Sequence, residues 1–539
     1  MTPRRALAYL IGISAIVRLV AASLLGLGND EAYHFLYSAH PALSYYDHPP
    51  MLAWTELAGL LLTRATYSAV ALRLGFIVLF AGSTWLMARI AGRWFGQWAG
   101  FYAALALNLT AYYGLAAATF ALPDGPLLFF WLLTLDRLTV AVEDGRKTTP
   151  WLAVGLAWGC AMLSKYHAIF LPAGAVMYLL VTPSKRRILL QPGPYIAVLT
   201  GLAVFSPVLA WNASHGWASF LFQGGRAVGG LTPRPDFLAT ALLAQVGYLF
   251  PWIWLPLMAI LFRELRAWKR LRSEGERLAL CVAILPFAAF TAVACFRPVL
   301  PHWGLIGLVS LFPSLGKLWA EIAARNPARM RRSMTMAGGF SLVLLGLTLA
   351  EYHTGFLQRV PGSSWGLFKA QADPTGDLYG WDEVATRLEE MGALSDPDGF
   401  LVTRLWYQSA QVSHAIRMKR PVLCYNIDDP RGFAFWSTPS DFVGRDAVLL
   451  VINDDPVSLP FYRRWFADAS SLGEFTIERR GKPLRKVQAY RLSNQLASFP
   501  YTFSPERTAA RETLRAGGHP LDARPEAIGR SAPGASMIR

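Results

Sequence analysis

Eleven apolar runs bounded by charged or Pro/Gly-rich stretches limit what this chain can fold into. They fall at about 6–27, 67–88, 97–118, 125–142, 151–164, 168–182, 194–212, 237–262, 278–296, 302–320 and 333–350. About 20 apolar residues cross a bilayer as a helix. The pattern therefore predicts a polytopic α-helical membrane protein. Composition agrees, since 54% of the 539 residues are hydrophobic and 16% charged, against about a quarter charged in soluble domains. The first run is interrupted only by Arg18. It is too long for a signal-peptide core and lacks a convincing small-residue cleavage site, which predicts a retained span.

Basic residues set the expected orientation. Runs 151–164 and 168–182 are short enough to pass for one helix, yet "EDGRK" precedes them and "SKRR" follows. Both flanks should be cytoplasmic, so two passes are needed, with "SKYH" at the turn on the far side. With the N-terminus inside, Arg89, Arg93, Arg146, Lys147, the 185–187 cluster, "RELRAWKRLRSEGER" and "ARNPARMRR" all lie on cytoplasmic loops. The opposite loops hold only Arg64, Lys165, Arg226, Arg234 and Arg297. Eleven spans deliver everything after residue 350 to the outside. The net charge of +16 then follows from cytoplasmic loops. No basic patch interleaved with exposed aromatics points to nucleic acid.

The chain is expected to divide into a membrane domain over 1–350, a small α/β domain over 351–502 and a disordered tail over 503–539. "DGFLVTRLW", "RPVLCYN" and "DAVLLVIND" read as short strands, "GWDEVATRLEEMG" and "YQSAQVSHAIRM" as helices. "EFTIERRGKPLRKVQAYRL" reads as a hairpin turned at "RGKP". The tail has no apolar period. The four cysteines show no ligand spacing, so neither a zinc site nor a disulfide framework is indicated.

Titratable chemistry gathers on the loops of the far side. The first loop, "GLGNDEAYHFLYSAHPALSYYDHPPMLAW", carries Asp30, Glu31 and Asp47 among histidines and tyrosines. Acids beside a span often serve only solvation, but Asp30 and Glu31 are adjacent, follow a Gly-x-Gly turn and lie among aromatics. That setting suits a general base. Asp124, in "ALPDGPLLFFW", is the only charged residue between Arg93 and Asp136. It is either a helix cap or a used group, because an ionisable side chain at membrane depth is costly otherwise. Lys165 and Arg297 are cations on the same side. They either snorkel to the interface or hold an anionic headgroup. His48 and His302 have no partner at ligand spacing on one element, and a divalent cation is left open. Glu56 and Arg73 read as packing or cap residues.

The order "DEAYHFLYSAHPALSYYDHPPMLAW", "PDGPLLFFW", "LSKYHAIFL", "LPHW" over about residues 1 to 350 resembles bacterial membrane glycosyltransferases of family 39. These are relatives of protein O-mannosyltransferases and lipid A aminoarabinose transferases. The resemblance implies the GT-C fold. It also implies inverting transfer of a sugar from a polyprenyl-phosphate carrier to a lipid, glycan or protein hydroxyl of the cell envelope. That reaction would occur on the extracytoplasmic face of the bacterial inner membrane. Asp30, with Glu31, matches the family's first acidic motif, whose Asp is taken as the base; Asp124 matches the second acidic position. Asp47 and His48 fall in a loop expected over the site, with His302 in "LPHW". Two positions depart from the family pattern. His48 stands where aminoarabinose transferases tend to carry Lys, and "GLIG" follows "LPHW" where prolines are common. The main alternative is a transporter, which intramembrane charges also suit. Against it, the charges cluster at one face and no inverted repeat is visible. A non-catalytic lipid-binding or assembly component is the third reading.

Overall fold

The structure, a computed structural model, describes residues 1–143, 147–226, 232–271, 273–359, 366–455 and 458–501. The tail expected over 503–539, and Arg146 of the cytoplasmic set, lie outside the described residues. The chain forms two units, one of residues 1–24 and 41–347, the other of 25–40 and 348–539. Residues 25–40, the start of the first polar loop, thus fold with the C-terminal part of the chain.

The first helices are α1 (Pro3–Leu24), α2 (Asn29–Ala39), α3 (Met51–Thr63), α4 (Ala69–Phe95), α5 (Gln97–Asn108) and α6 (Ala117–Thr119). Next come α7 (Asp124–Glu143), α8 (Thr149–Ser164), α9 (Phe170–Val181), α10 (Pro192–Ser214) and α11 (Ala218–Gly225). Helices α12 (Pro235–Leu249), α13 (Pro251–Arg266), α14 (Glu274–Ala294), α15 (His302–Val309), α16 (Phe312–Arg325) and α17 (Pro327–Thr354) follow. Among the described residues, six are long and apolar enough to cross a membrane, or up to ten if each bent pair is one span. The remaining predicted run, 151–164, is the 16-residue α8.

Bends were not expected from the runs. The 237–262 run is broken by 116° between α12 and α13. There Phe250 takes a left-handed φ of 63°, and Pro251 follows without an N–H to continue the ladder. The 97–118 run turns by 83° at a break after Asn108 and continues as a π-helical stretch, Tyr112–Ala116. That break explains Arg18. Its guanidinium is buried and donates to the Gly114 carbonyl (3.0 Å from Nε, 2.5 Å from Nη2) and to Asn108 Oδ1 at 3.0 Å. Arg73, also buried, donates to the Ala22 carbonyl at 2.9 Å. Both cations are satisfied inside the apolar bundle, as buried charges must be. Where helices touch closely, small residues allow it. A Cβ on Gly155 of α8 would lie 2.5 Å from the Ala197 carbonyl of α10, and one on Gly201 2.1 Å from the Trp158 ring.

The second unit contains helices α18 (Trp381–Glu390) and α19 (Trp406–Ala415) and strands β1 (Phe400–Thr403), β2 (Val422–Cys424), β3 (Ala447–Ile452), β4 (Phe466–Arg479) and β5 (Lys482–Gln495). Sheet order is β2-β1-β3-β5-β4. Strands β1 to β3 are parallel, with β1 central among them, and β5 runs antiparallel to both β3 and β4. The β4–β5 hairpin turns at Arg480 (φ 50°) and Gly481 (φ 76°), the paired left-handed conformation that favours a tight hairpin. A buried Arg479 at the end of β4 ties this hairpin to the start of the unit. It donates to Thr375 Oγ1 at 2.8 Å, Gln358 Oε1 at 2.9 Å, Glu351 Oε1 at 3.4 Å and the Asp373 carboxylate.

Helix α2 belongs here because of its aromatics. Tyr33 packs edge-on against Trp406 at 4.9 Å, lies 5.5 Å from Trp436, and its hydroxyl accepts the Gly432 N–H at 2.8 Å. Phe35 meets His414 edge-on at 4.9 Å, and His40 stacks on Trp436 at 5.2 Å. The buried Gln411 amide donates to the Leu27 carbonyl at 2.9 Å and to Asn29 Oδ1 at 3.2 Å.

Candidate active site

Asp124 opens α7 just after Pro123, and Lys165 occupies the extended break (φ −162°, ψ 141°) between α8 and the 3-10 turn Tyr166–Ile169. Each position lies at an interruption in the helices, where a polar side chain need not face lipid. The two meet. Lys165 Nζ donates to Asp124 Oδ1 at 3.0 Å and to Oδ2 at 2.8 Å, with both residues buried. An ammonium carries three N–H donors, so the bidentate contact leaves one for another acceptor.

Around this pair the structure collects the histidine motifs. His302 stacks on Tyr112 at 4.8 Å, and Tyr112 stacks on Tyr248 at 5.1 Å. His167 of "SKYH" lies 5.8 Å from Trp303 of "LPHW" and stacks on Phe290 at 4.8 Å. Both histidines lie within electrostatic reach of Asp124, Lys165 and Arg226. Arg226, which the sequence marked only as a far-side charge, covers the Trp303 ring at 4.9 Å. Its signal was faint, a lone cation in the glycine-flanked "QGGRAVGG". Arg297 is partly exposed, and among the described residues its side chain makes no hydrogen bond or ion pair. No described contact joins it to Asp124 or Lys165.

The Asp47–His48 loop is anchored from α11. The Asp47 carbonyl accepts Gln223 Nε2 at 2.5 Å, Tyr46 lies 4.6 Å from Phe222, and Tyr166 OH shares a hydrogen bond with Ser219 at 2.7 Å. Asp47 is buried and His48 partly exposed. Among the described residues, no three His, Cys, Asp or Glu side chains come together as a metal-ion set.

In the second unit, Glu31 is buried and Asp30 exposed. Glu31 Oε2 accepts the Gly28 N–H at 3.0 Å, a capping contact at the start of α2. One acid therefore fixes the helix end while its neighbour stays open. Near Asp30, the Asp377 carboxyl is raised above its ordinary value by the protein crowded around it. The negative charge of Asp30 adds to this rise, while Arg485 and Asn29 oppose it.

Solved structures share this architecture. ArnT from Cupriavidus metallidurans bound to undecaprenyl phosphate aligns over 89% of this chain and 97% of its own, with a TM-score of 0.60 at 17% identity. Its apo form aligns over 91% and 98%, with a TM-score of 0.58 at 17% identity. The chain has the GT-C fold. Residues 47–211 match the family described as dolichyl-phosphate-mannose-protein mannosyltransferase. The lipid A galacturonosyltransferase RgtD of Rhizobium johnstonii is 25% identical over 333 residues, 58% of this chain and 64% of the relative. The chain thus spans less than two thirds of that curated relative. Together these likenesses make it a multi-pass membrane protein of the GT-C class, similar to glycosyltransferases of family 39.

Proposed function

We propose that this chain is an inverting glycosyltransferase that moves a sugar from a polyprenyl-phosphate carrier to an acceptor hydroxyl on a lipid, glycan or protein. It works in a bacterial inner membrane, with its site and C-terminal unit on the extracytoplasmic side. The buried Lys165–Asp124 pair among His167, His302 and Arg226 carries this reading. It is an under-filled cationic site in a fold shared with a protein solved with undecaprenyl phosphate. The lipid A acceptor in the name of RgtD supports testing lipid acceptors first.

The chemistry follows from charge. As the acceptor oxygen attacks the anomeric carbon, the carbon–phosphate oxygen bond breaks and the carrier leaves as a phosphate monoester with added negative charge. Lys165, with Arg226 and Arg297, stabilises that charge more than it stabilises the bound diester. Asp124 fixes the direction of the Lys165 ammonium. Asp30 accepts the acceptor's proton, Glu31 holds the helix end that carries it, and Asp47, His48 and His302 shape the donor's surroundings. Attack in a single step inverts the anomeric centre.

The test is transfer of radiolabelled sugar in membranes that contain the protein and are supplied with different polyprenyl-phosphate sugars. Transfer to extractable lipid that depends on Lys165 supports the proposal. Carrier-independent uptake of sugar into sealed vesicles, with no transfer, would favour the transporter, an alternative the GT-C fold makes the weaker one.

A further inference from the structure

At the other end of the membrane unit is a second polar site that glycosyl transfer does not use. A cavity of about 260 Å³ opens between the last turn of α13, the start of α14 and the middle of α16. Helix α14 runs 21 residues from this end towards the loop before His302, roughly 30 Å at helical rise. The cavity is therefore remote from the Lys165–Asp124 pair.

Its floor is unusual. Glu264 is 1% exposed, and among the described residues no hydrogen bond of good geometry reaches either carboxyl oxygen, the Ser314 hydroxyl being the donor beside it. The Arg263 guanidinium stands 3.8 Å away, too far for a hydrogen bond. Ser314, 2% exposed, sets its hydroxyl beside that carboxyl. Across the cavity Glu276 is already engaged by Lys317 Nζ at 2.7 Å, and Glu321 adds a third acid to the lining. Among the described lining residues, three acids face two cations, and Glu264, the deepest of the acids, is left without a hydrogen-bonded cation. A buried carboxylate without a close cation is costly, so the site calls for a ligand that brings positive charge and N–H donors. Phe262 and Leu265, exposed on the same turn of α13, place the opening beside apolar surface, and Leu318 lines its wall. The volume lies just below the roughly 300–1,000 Å³ of drug-sized sites, which suits a headgroup.

We propose that this cavity binds a primary ammonium group, that of an ethanolamine phospholipid headgroup, with the ammonium on Glu264 and Ser314 and the phosphate towards Arg263 and Lys317. The site does not take part in sugar transfer, and its test does not depend on activity.

The full chain is reconstituted in phosphatidylglycerol nanodiscs doped with either phosphatidylethanolamine or phosphatidylcholine, and retained lipid is counted by native mass spectrometry. Choline keeps the positive charge but has no N–H. Retention of the ethanolamine lipid should exceed that of the choline lipid roughly tenfold, the worth of a hydrogen bond to a charged group. The preference should vanish in Glu264→Gln and weaken in Ser314→Ala. Soluble ethanolamine in phosphatidylglycerol discs tests the other source. If it is retained in place of lipid, and Glu264→Gln abolishes this, the ammonium site is supported and filled from solution. Equal retention of both lipids by the unaltered chain, with no response to ethanolamine, overturns the proposal without reference to any variant. So does a preference that persists in Glu264→Gln.

Discussion

Two buried ion clusters in this molecule use the same chemistry in opposite ways. In the C-terminal unit, the terminal nitrogens of Arg479 are engaged by Thr375, Gln358, Glu351 and Asp373, which come from three separate stretches of chain. In the membrane unit, Lys165 gives two hydrogen bonds to a single carboxylate and keeps one donor unspent, beside histidines and a second cation. The Arg479 cluster engages both terminal nitrogens, though not its buried Nε, in holding a hairpin to its base. The Lys165 cluster holds capacity in reserve. Burial and charge are alike in the two, so neither marks function. The difference lies in the company each keeps: the Arg479 cation faces two carboxylates, whereas Lys165 faces one and has histidines and a second cation beside it.

The largest expected effect breaks the first cluster. Arg479→Leu leaves Asp373 and Glu351 buried without their cation, and losing one partner of a buried ion pair costs about 3–5 kcal/mol. Here two carboxylates are stranded, so the loss should fall at the top of that range. Limited proteolysis should cut the C-terminal unit rapidly while the membrane unit remains resistant. An undiminished melting temperature would show that the cluster is not what holds the hairpin.

Breaking the second cluster should separate stability from use. Lys165→Met strands Asp124 and should destabilise by about 3 kcal/mol. The single variant therefore confounds folding with binding. Adding Asp124→Asn removes the stranded charge, so the double variant should recover most of the melting temperature but none of the donor use. Recovery of both would make the pair purely structural, like Arg479.

Asp30 sharpens the comparison because it is neither buried nor paired in this way. Asp30→Asn keeps shape and removes basicity. Turnover should fall about 10²-fold, the lower end of general-base contributions and under about 3 kcal/mol of barrier, with melting unchanged. Glu31→Gln should do the reverse, weakening the contact with the Gly28 N–H while sparing much of the turnover. If Asp30→Asn works normally, the base lies elsewhere.

How far the sequence could reach is visible in the same residues. The long apolar helices were legible because apolar length suffices to call for a helix, although the described residues support six to ten spans where eleven were expected, and the β4–β5 turn was legible from "RGKP". The bend at Phe250–Pro251 was not, since a break inside an apolar run leaves hydropathy unchanged. Nor was the partner of Arg18, because a π-helical turn is a matter of backbone geometry. The acidic and basic motifs were readable one by one. That Lys165 would bind Asp124 on both oxygens, or that Arg226 would cover Trp303, depends on helix packing that spacing does not encode. The allegiance of α2 was hidden for another reason. Its holding contacts, Tyr33 to Trp406 and Phe35 to His414, lie more than 370 positions away in the sequence.

That last contact gives the smallest effect and the finest test of how α2 is held. Burial lowers the His414 imidazole to about 4, with Arg417 pushing the same way and Asp382 and Glu31 opposing. In the unfolded chain it titrates near its ordinary value of about 6.5. Because the folded state binds fewer protons, this group's contribution to stability is fully present above pH 6.5 and is lost as pH falls from there towards 4. Between pH 7 and pH 5.5 the loss should be about 1 kcal/mol. Most of it should appear where Phe35 meets the ring, as faster amide exchange along α2. His414→Phe keeps an aromatic edge against Phe35 and cannot titrate. It should leave α2 protected equally at both pH values while the unaltered chain loosens at the lower one. Equal loosening in both would mean that another group, such as His40 on Trp436, carries the pH dependence, and that the His414 imidazole is packing rather than a pH-sensitive latch.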